Sequence, residues 1–145
     1  MDLKTLLNEI TKTAINQKVI NYAAAGTDIY QLNARKIDAY PVLFVSPTGN
    51  HLVEQNTTTF EITLYYFDRL LEDNSNDIDI YSTSIEQIKN LVRWIADIEN
   101  VVSVADGYNI TNFAETDEGS FNDRIAGSYT TIQIGVVNDT ICGVL

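Results

Sequence analysis

The sequence has few of the side chains that enzymes use as nucleophiles, bases and metal ligands. Its 145 residues include one cysteine, Cys142, and one histidine, His51. A thiol nucleophile needs a base within hydrogen-bond reach, and a zinc site needs more ligands than this pair supplies. A single cysteine also excludes an intrachain disulfide, so Cys142 is interpreted as a small buried hydrophobic residue. We therefore predict no enzymatic activity and neither a metal nor a cofactor.

Glycine-rich phosphate loops and complete calcium loops are missing as well. The seven glycines are scattered singly, which excludes a P-loop. The acid-rich run that starts at Asp73 has the composition of a calcium loop, but Ile78 replaces its turn glycine and Ser84 its bidentate glutamate. We interpret the run as a solvated loop. Twenty acidic residues leave paired-carboxylate chemistry open, although no particular pair stands out.

Basic residues and long apolar runs are scarce. Nine Lys and Arg against twenty Asp and Glu give a formal net charge of −11, which argues against binding to nucleic-acid phosphates as the main function. Such a surface promotes solubility, or it repels nucleic acid or meets a basic partner. No apolar run approaches the roughly 18 residues of a membrane span, and the N-terminus lacks the apolar core of a signal peptide. We expect a protein that is intracellular, or that is made in a cytoplasm and then assembled.

The longest strand signal is Thr57–Asp68, in which apolar and polar residues alternate. Its apolar face consists of Phe60, Ile62, Leu64 and Tyr66. A second alternating segment, Gly127–Val137, has Tyr129, Thr131 and Gln133 on a polar face. Tyr40–Pro47 is a dense apolar run bounded by prolines, and it is predicted to be an antiparallel neighbour of the first strand.

Two helices are predicted from apolar residues at helical spacing. The first runs from Asp2 to about Gln17, with Asp2 as its cap. The second is Ser84–Glu99, whose start is predicted from a capping box at Thr83 or Ser84. Asp68–Asp79 before it is interpreted as an acidic, solvated loop.

The remaining segments give weaker signals. Asp28–Leu32 is predicted to be a short edge strand, after a helical continuation that ends at Gly26. Val101–Ala105 and Tyr108–Ala114 are either a hairpin around Asp106-Gly107 or one irregular strand with a bulge at Gly107.

Alternating strands with one buried face indicate an antiparallel sheet that is covered by helices on one side. The sequence therefore predicts an α+β fold over residues 1–145 as a single domain. We expect a twisted antiparallel β-sheet of about four to five strands, with the two main helices packed on one face.

The order of these elements resembles that of a family of small tailed-bacteriophage proteins. Thr59–Leu64, the following Tyr66–Arg69, and Ile125–Tyr129 carry most of the likeness. The chain looks like the tail terminator and tail-completion proteins, which form the head–tail neck ring. The resemblance spans nearly the whole chain and follows the order of its helices and strands.

This resemblance implies a virion structural protein, assembled in the host cytoplasm and located in the tail or neck. It implies a homo-oligomeric ring, commonly six-fold, that halts tail-tube polymerisation or joins the tube to the head connector. Its partners would be other neck, connector or tail-tube proteins, and DNA would only pass through the lumen without sequence-specific binding or a membrane.

Contacts between subunits or between rings are predicted on the acidic segments Asp68–Asp79 and Glu115–Asp123, with Tyr81 and Phe121 as apolar anchors. The predicted contact residues are Asp68, Arg69, Asp73, Asp77, Asp79, Tyr81, Glu115, Asp117, Glu118 and Phe121. Two alternatives to an assembly protein remain open: a small intracellular ligand-binding or enzymatic α+β domain with an unrecognised pocket, and an adaptor domain.

Overall fold

The computed structural model describes residues 1–18, 20–34, 39–116 and 123–138. Over these residues the fold is α+β, with two α-helices and seven strands. In chain order the elements are α1 (Leu3–Asn16), β1 (Tyr22–Ala25), a 3₁₀ helix (Ile29–Ala34), β2 (Val42–Pro47), β3 (Leu52–Val53), β4 (Thr57–Arg69), α2 (Asp77–Ala96), β5 (Val101–Val104), β6 (Thr111–Glu115) and β7 (Ile125–Val137).

The strands form one open, mixed sheet in the order β1-β2-β4-β7-β5, with β3 also paired to β4 and β6 to β7. The predicted α+β class is confirmed, but the predicted sheet of about four to five antiparallel strands has too few strands, and the observed sheet is mixed rather than wholly antiparallel. Strand β1 is parallel to β2, since Tyr22 pairs with Val42 and Ala25 with Val45. Parallel neighbours need a long crossover connection. The connection between Ala25 and Val42 is such a crossover, and its described part contains the 3₁₀ helix.

The centre of the sheet is the antiparallel pair of β4 and β7, each 13 residues long. Their register runs without a break from Thr57 opposite Val137 to Arg69 opposite Ile125. Strand β2 pairs antiparallel with β4, as predicted. Because side chains alternate between the two faces of a strand, this register gives the sheet two continuous faces.

The helix face of the sheet is buried beneath α1 and α2. Its central side chains, including Ile62 and Leu64, are fully buried, and the predicted apolar face of β4 is confirmed. Helix α1 contributes Leu6 and Ile10 to this core, whereas α2 contributes Ile88. Both helices pack on this one face, as the periodicity predicts. The predicted cap is also confirmed, since the Asp2 carboxylate accepts a hydrogen bond from the Thr5 amide at 2.7 Å.

Helix α2 begins at Asp77, so its predicted start at Ser84 is wrong, as is the predicted acidic loop over its first turn. Ser84 lies within the helix and is fully buried, where its Oγ lies 2.6 Å from the Oγ of Ser128 on β7. A small side chain at this position lets the helix approach the strand closely. The predicted end at Glu99 is also too late, because the helix stops at Ala96.

Two edge predictions are wrong as well. Asp28–Leu32 is not a strand, because the 3₁₀ helix occupies it, and the edge strand is β1 instead. Strands β5 and β6 form no hairpin, since each pairs with β7, one near each end of that strand. The alternative of one irregular strand is closer to the structure, because both segments pair antiparallel with β7, but the register shift lies between Val101 and Ser103 rather than at Gly107.

Candidate functional site

The sheet face opposite the helices carries an aromatic cluster, and we call it the open face. Tyr65 of β4, Phe113 of β6 and Tyr129 of β7 meet there, with ring centroids 5.5 to 6.0 Å apart. Tyr65 lies directly opposite Tyr129 in the register of β4 and β7. The pairing of β4, β6 and β7 in the sheet therefore brings together three rings that are distant in sequence.

A glycine in β7 allows a further pair of rings to meet. Gly127 lies between Phe67 and Phe113 in the register of the three strands, and these two rings approach to 6.3 Å between centroids. A Cβ atom at Gly127 would stand 1.9 Å from the backbone oxygen of Tyr66. The absence of a side chain at this position thus permits the close approach of β4 and β7.

Beside this cluster lies a pocket of about 430 Å³, which we call the open-face pocket. It is bounded by the aromatic cluster on the sheet and by the 3₁₀ helix with the residues before it. Its lining includes Asp28, Tyr30, Tyr65, Phe113, Glu115 and Tyr129. The volume falls within the range of small-ligand sites, which are roughly 300 to 1,000 Å³.

Hydrogen bonds tie the rim of the pocket together. The Tyr30 hydroxyl donates to Oε1 of Glu115 at 2.8 Å, and the Tyr30 amide donates to Oδ1 of Asp28 at 2.9 Å. The hydrogen bond to Glu115 raises the pKa of Tyr30, and burial and the two carboxylate charges add to that effect. Burial raises the pKa of Tyr65, with smaller contributions from Tyr129 and Asp28.

The two carboxylates of the pocket lack a cationic partner. Within the described ranges, no lysine or arginine lies within ion-pair distance of Asp28 or Glu115. The pocket therefore combines aromatic surface with uncompensated negative charge. Aromatic faces and carboxylates both attract cations.

Only one of the predicted contact residues, Glu115, belongs to this pocket. In the sequence, the alternation of apolar and polar residues places Tyr65 on the polar face of β4 and Tyr129 on the polar face of β7. This pattern identifies both tyrosines as residues outside the helix-covered core. Phe113 and Tyr30 carry no comparable signal, because their positions depend on the register of β6 and on the crossover from β1 to β2.

A second depression, of about 200 Å³, lies where β4 leads into α2. Two predicted contact residues, Asp68 and Asp79, line it together with Tyr66 and Thr83. The side-chain amide of Asn76 donates to the Arg69 carbonyl, and its oxygen accepts from the Leu71 amide, so this turn is held to the end of β4. We call residues 68–79 the acidic end.

The other predicted residues of the acidic end have separate local roles. Arg69 pairs with Asp123 at 3.4 Å and lies 4.9 Å from the ring centre of Tyr40. Asp73 accepts from the Ser75 amide, and hydrogen bonding by that residue lowers the pKa of Asp73. Asp77 lies in the first turn of α2, where negative charge stabilises a helix N-terminus.

Tyr81, predicted as an apolar anchor, packs partly inward against Leu70, Ile80 and Ala126. The exposed apolar side chains of this region are instead Leu71 and Ile78, at 55% and 72% exposure.

Several sequence predictions fall on residues that the structure does not describe. They concern Asp117, Glu118, Phe121 and Cys142. His51 is described, and its Nδ1 accepts from the Glu61 amide at 3.3 Å while its ring contacts Phe60 at 5.3 Å between centroids.

Residues 1–18, 20–34, 39–116 and 123–138 contain neither a metal-binding cluster nor a membrane-spanning helix. No group of three or more His, Cys, Asp or Glu side chains is placed to hold a metal ion there. Neither helix there is long and apolar enough to cross a membrane. No protein-family model matches the chain, and no curated protein matches it with significant similarity.

Proposed function

We propose that this protein is a structural assembly protein of a tailed-phage neck or tail. It forms a homo-oligomeric ring, six-fold or of higher symmetry, that terminates the tail tube or joins it to the head connector. DNA passes through the lumen of this ring without specific binding. The proposal combines the family resemblance of the sequence with one structural observation at the acidic end.

That observation is the exposure of two large apolar side chains among the acids. Leu71 and Ile78 are more than half exposed, and Asp73, Asp77 and Asp79 flank them. Leu71 and Ile78 both lie in the acidic end, residues 68–79. Protein–protein contacts commonly combine exposed apolar side chains with surrounding charged ones.

A second exposed apolar pair lies at the other end of the sheet. Leu52 and Val53 of β3 are 59% and 73% exposed, and they pair with Thr59 and Thr58 near the start of β4. Strand β4 spans roughly 40 Å at about 3.3 Å per residue, so the two apolar pairs are far apart. Two unlike surfaces are what a heterologous contact requires, and such contacts close into rings when the rotation between subunits permits.

The charge of the chain supports a lumen that DNA passes without binding. A net charge of −11 repels a polyanion, and this repulsion prevents passing DNA from being held on the wall. The same charge favours assembly partners that present basic surfaces.

Light scattering on the purified protein tests the proposal. We expect a mass of at least six times the 16.2 kDa of the chain at high protein concentration. Replacement of both Leu71 and Ile78 by Ser should lower that mass, because the apolar centre of a contact is lost. Charge reversal at Asp73, Asp77 and Asp79 should lower it as well.

The matched control is Val102→Ser, which removes an apolar side chain of similar exposure, 56%, from the edge strand β5. This variant should keep the mass of the wild type. A monomer at every concentration, or equal masses for all variants, would contradict the proposal.

A second candidate function, ligand binding by an intracellular α+β domain, is favoured by a different observation. The open-face pocket of about 430 Å³ has the size of a small-ligand site. Under this alternative the protein is a monomer whose function resides in the pocket, and the light-scattering mass separates the two candidates.

A further inference from the structure

We propose that the open-face pocket binds a guanidinium group, presented as an arginine side chain by another protein. The inference stands on the pocket alone and holds whether or not the chain forms a ring. It assigns a ligand chemistry to a site that the sequence does not reveal.

The aromatic surface of the pocket is the first reason. Tyr65, Phe113 and Tyr129 contact one another at 5.5 to 6.0 Å and present ring surfaces to the same cavity. A cation within about 6 Å of a ring centre is attracted by the negative face of that ring. A planar guanidinium also stacks on such rings, whereas a compact ammonium is more strongly hydrated.

Uncompensated charge is the second reason. Glu115 uses one carboxylate oxygen to accept from Tyr30, and Asp28 uses one to accept from the Tyr30 amide. The second oxygen of each carboxylate has no hydrogen-bond donor within the described residues. A guanidinium carries five N–H donors in a planar fork, so it can reach acceptors on two sides of a pocket at once.

The described arginines of the chain are placed elsewhere. Arg69 pairs with Asp123 and lies over the ring of Tyr40. Arg124 donates to the Glu72 carbonyl and to Oδ1 of Asn74. Arg93 is exposed on α2, which packs on the helix face. None of these three described arginines lines the pocket, and Arg35 lies outside the described residues. We assign the occupant to another protein.

The source of the guanidinium follows from the setting of the pocket. Its floor is the surface of a sheet rather than a deep interior cavity, and its rim residue Tyr30 is 41% exposed. Arginine and tyrosine are enriched at the centres of protein interfaces, where a single side chain inserted into a pocket carries much of the binding energy. The acidic chain thereby gains a specific site for a basic partner.

Titration with N-acetyl-arginine-methylamide, followed by NMR of the aromatic side chains, tests the assignment. We expect saturable shifts of the Tyr65, Phe113 and Tyr129 ring signals, with a Kd on the order of 1 mM, which suits one side chain without its protein. The citrulline analogue has the same shape without the charge, and it should bind at least about tenfold more weakly. Equal binding of both compounds, or no saturable shift, would overturn the proposal.

Two variants locate the effect. Glu115→Gln keeps an acceptor for Tyr30 but removes the charge, and it should weaken probe binding at least about fivefold. Glu61→Gln is the matched control, since Glu61 lies on the same face of β4 outside the pocket and should leave the affinity unchanged. If both variants weakened probe binding equally, the effect would be one of overall charge, and the open-face pocket would not be the binding site.

Two further binding experiments test which group occupies the pocket and which protein supplies it. Tighter binding of tetramethylammonium than of the arginine probe would replace the guanidinium by a quaternary ammonium as the ligand. Tighter probe binding in an Arg35→Gln variant would show that the arginine of the chain itself competes for the pocket, which contradicts a partner as the source. We expect neither result.

Discussion

The two faces of the sheet use the same strands for different purposes. On the helix face, β4 and β7 contribute aliphatic side chains that α1 and α2 bury completely. On the open face, the same strands contribute Tyr65, Tyr129 and the threonine pair Thr63 and Thr131, whose hydroxyls lie 2.8 Å apart. The open face also has a smaller buried cluster that includes Phe44, Phe67 and Ile125, so both faces contribute to stability. The comparison teaches that the larger, aliphatic core lies on the helix face, whereas the partly exposed aromatic side chains that line the pocket lie on the open face.

Truncation of a core side chain on the helix face should have the largest effect on stability. Leu64 is fully buried in the core that β4 forms with both helices. Leu64→Ala should lower the free energy of unfolding by about 2 to 5 kcal/mol, because it leaves a cavity. Gln133→Ala on the exposed side of β7 should change it by less than about 0.5 kcal/mol. Urea unfolding measures both, and similar losses would contradict the role of the buried Leu64 side chain in stability.

Gly127→Ala should have the next largest effect, because it strains the pairing that both faces share. The added Cβ would stand 1.9 Å from the Tyr66 backbone oxygen, so β4 and β7 must separate. We expect a loss of about 1 to 3 kcal/mol in urea unfolding, together with shifts of the Phe67 and Phe113 ring signals. Gly107→Ala, where a Cβ meets nothing within 4 Å, is the control and should show neither change.

The smallest effect is predicted for alkaline pH. Burial raises the pKa of Tyr66, on the helix face, from 10.0 to about 12, and it raises that of Tyr65, on the open face, to a lesser extent. A raised pKa means that the folded protein holds the proton more tightly than the unfolded chain. The stability contributed by Tyr66 is therefore complete below about pH 10 and is lost as the pH rises toward 12.

Substitution by phenylalanine separates the two tyrosines. Tyr66→Phe should reduce the loss of stability between about pH 10 and about pH 12 more than Tyr65→Phe does. Tyr40, whose pKa is raised by burial and by Asp123, contributes equally to both variants. Urea unfolding across this pH range measures the difference, and an equal reduction in the two variants would contradict the assignment.

The helix face was largely predictable from the sequence, because its signals are local. Alternation in Thr57–Asp68 and Gly127–Val137 predicts the two central strands, and the spacing of Leu3, Leu6 and Ile10 predicts α1. Each pattern reports which side of a single element is buried. That information suffices to assign a core when both helices cover the same face.

Elements that depend on distant partners were not predictable. Strand β1 is rich in alanine, which favours a helix, and only its parallel pairing with β2 makes it a strand. The sequence did not predict the start of α2, because the polar residues of its first turn are also typical of a loop. Asp77 and Asp79 are equally typical of a helix N-terminus. The open-face pocket needs β4, β6, β7 and the 3₁₀ helix together, and no local pattern contains that arrangement.

Native mass spectrometry of the concentrated protein tests the central claim most directly, because it counts the subunits in each assembly. A heterologous contact that closes gives one stoichiometry, whereas one that does not close gives an open series of sizes. We predict a single dominant species of six or more copies, which dissociates when Leu71 and Ile78 are replaced by Ser. A monomer alone, or a continuous series of sizes, would contradict the ring.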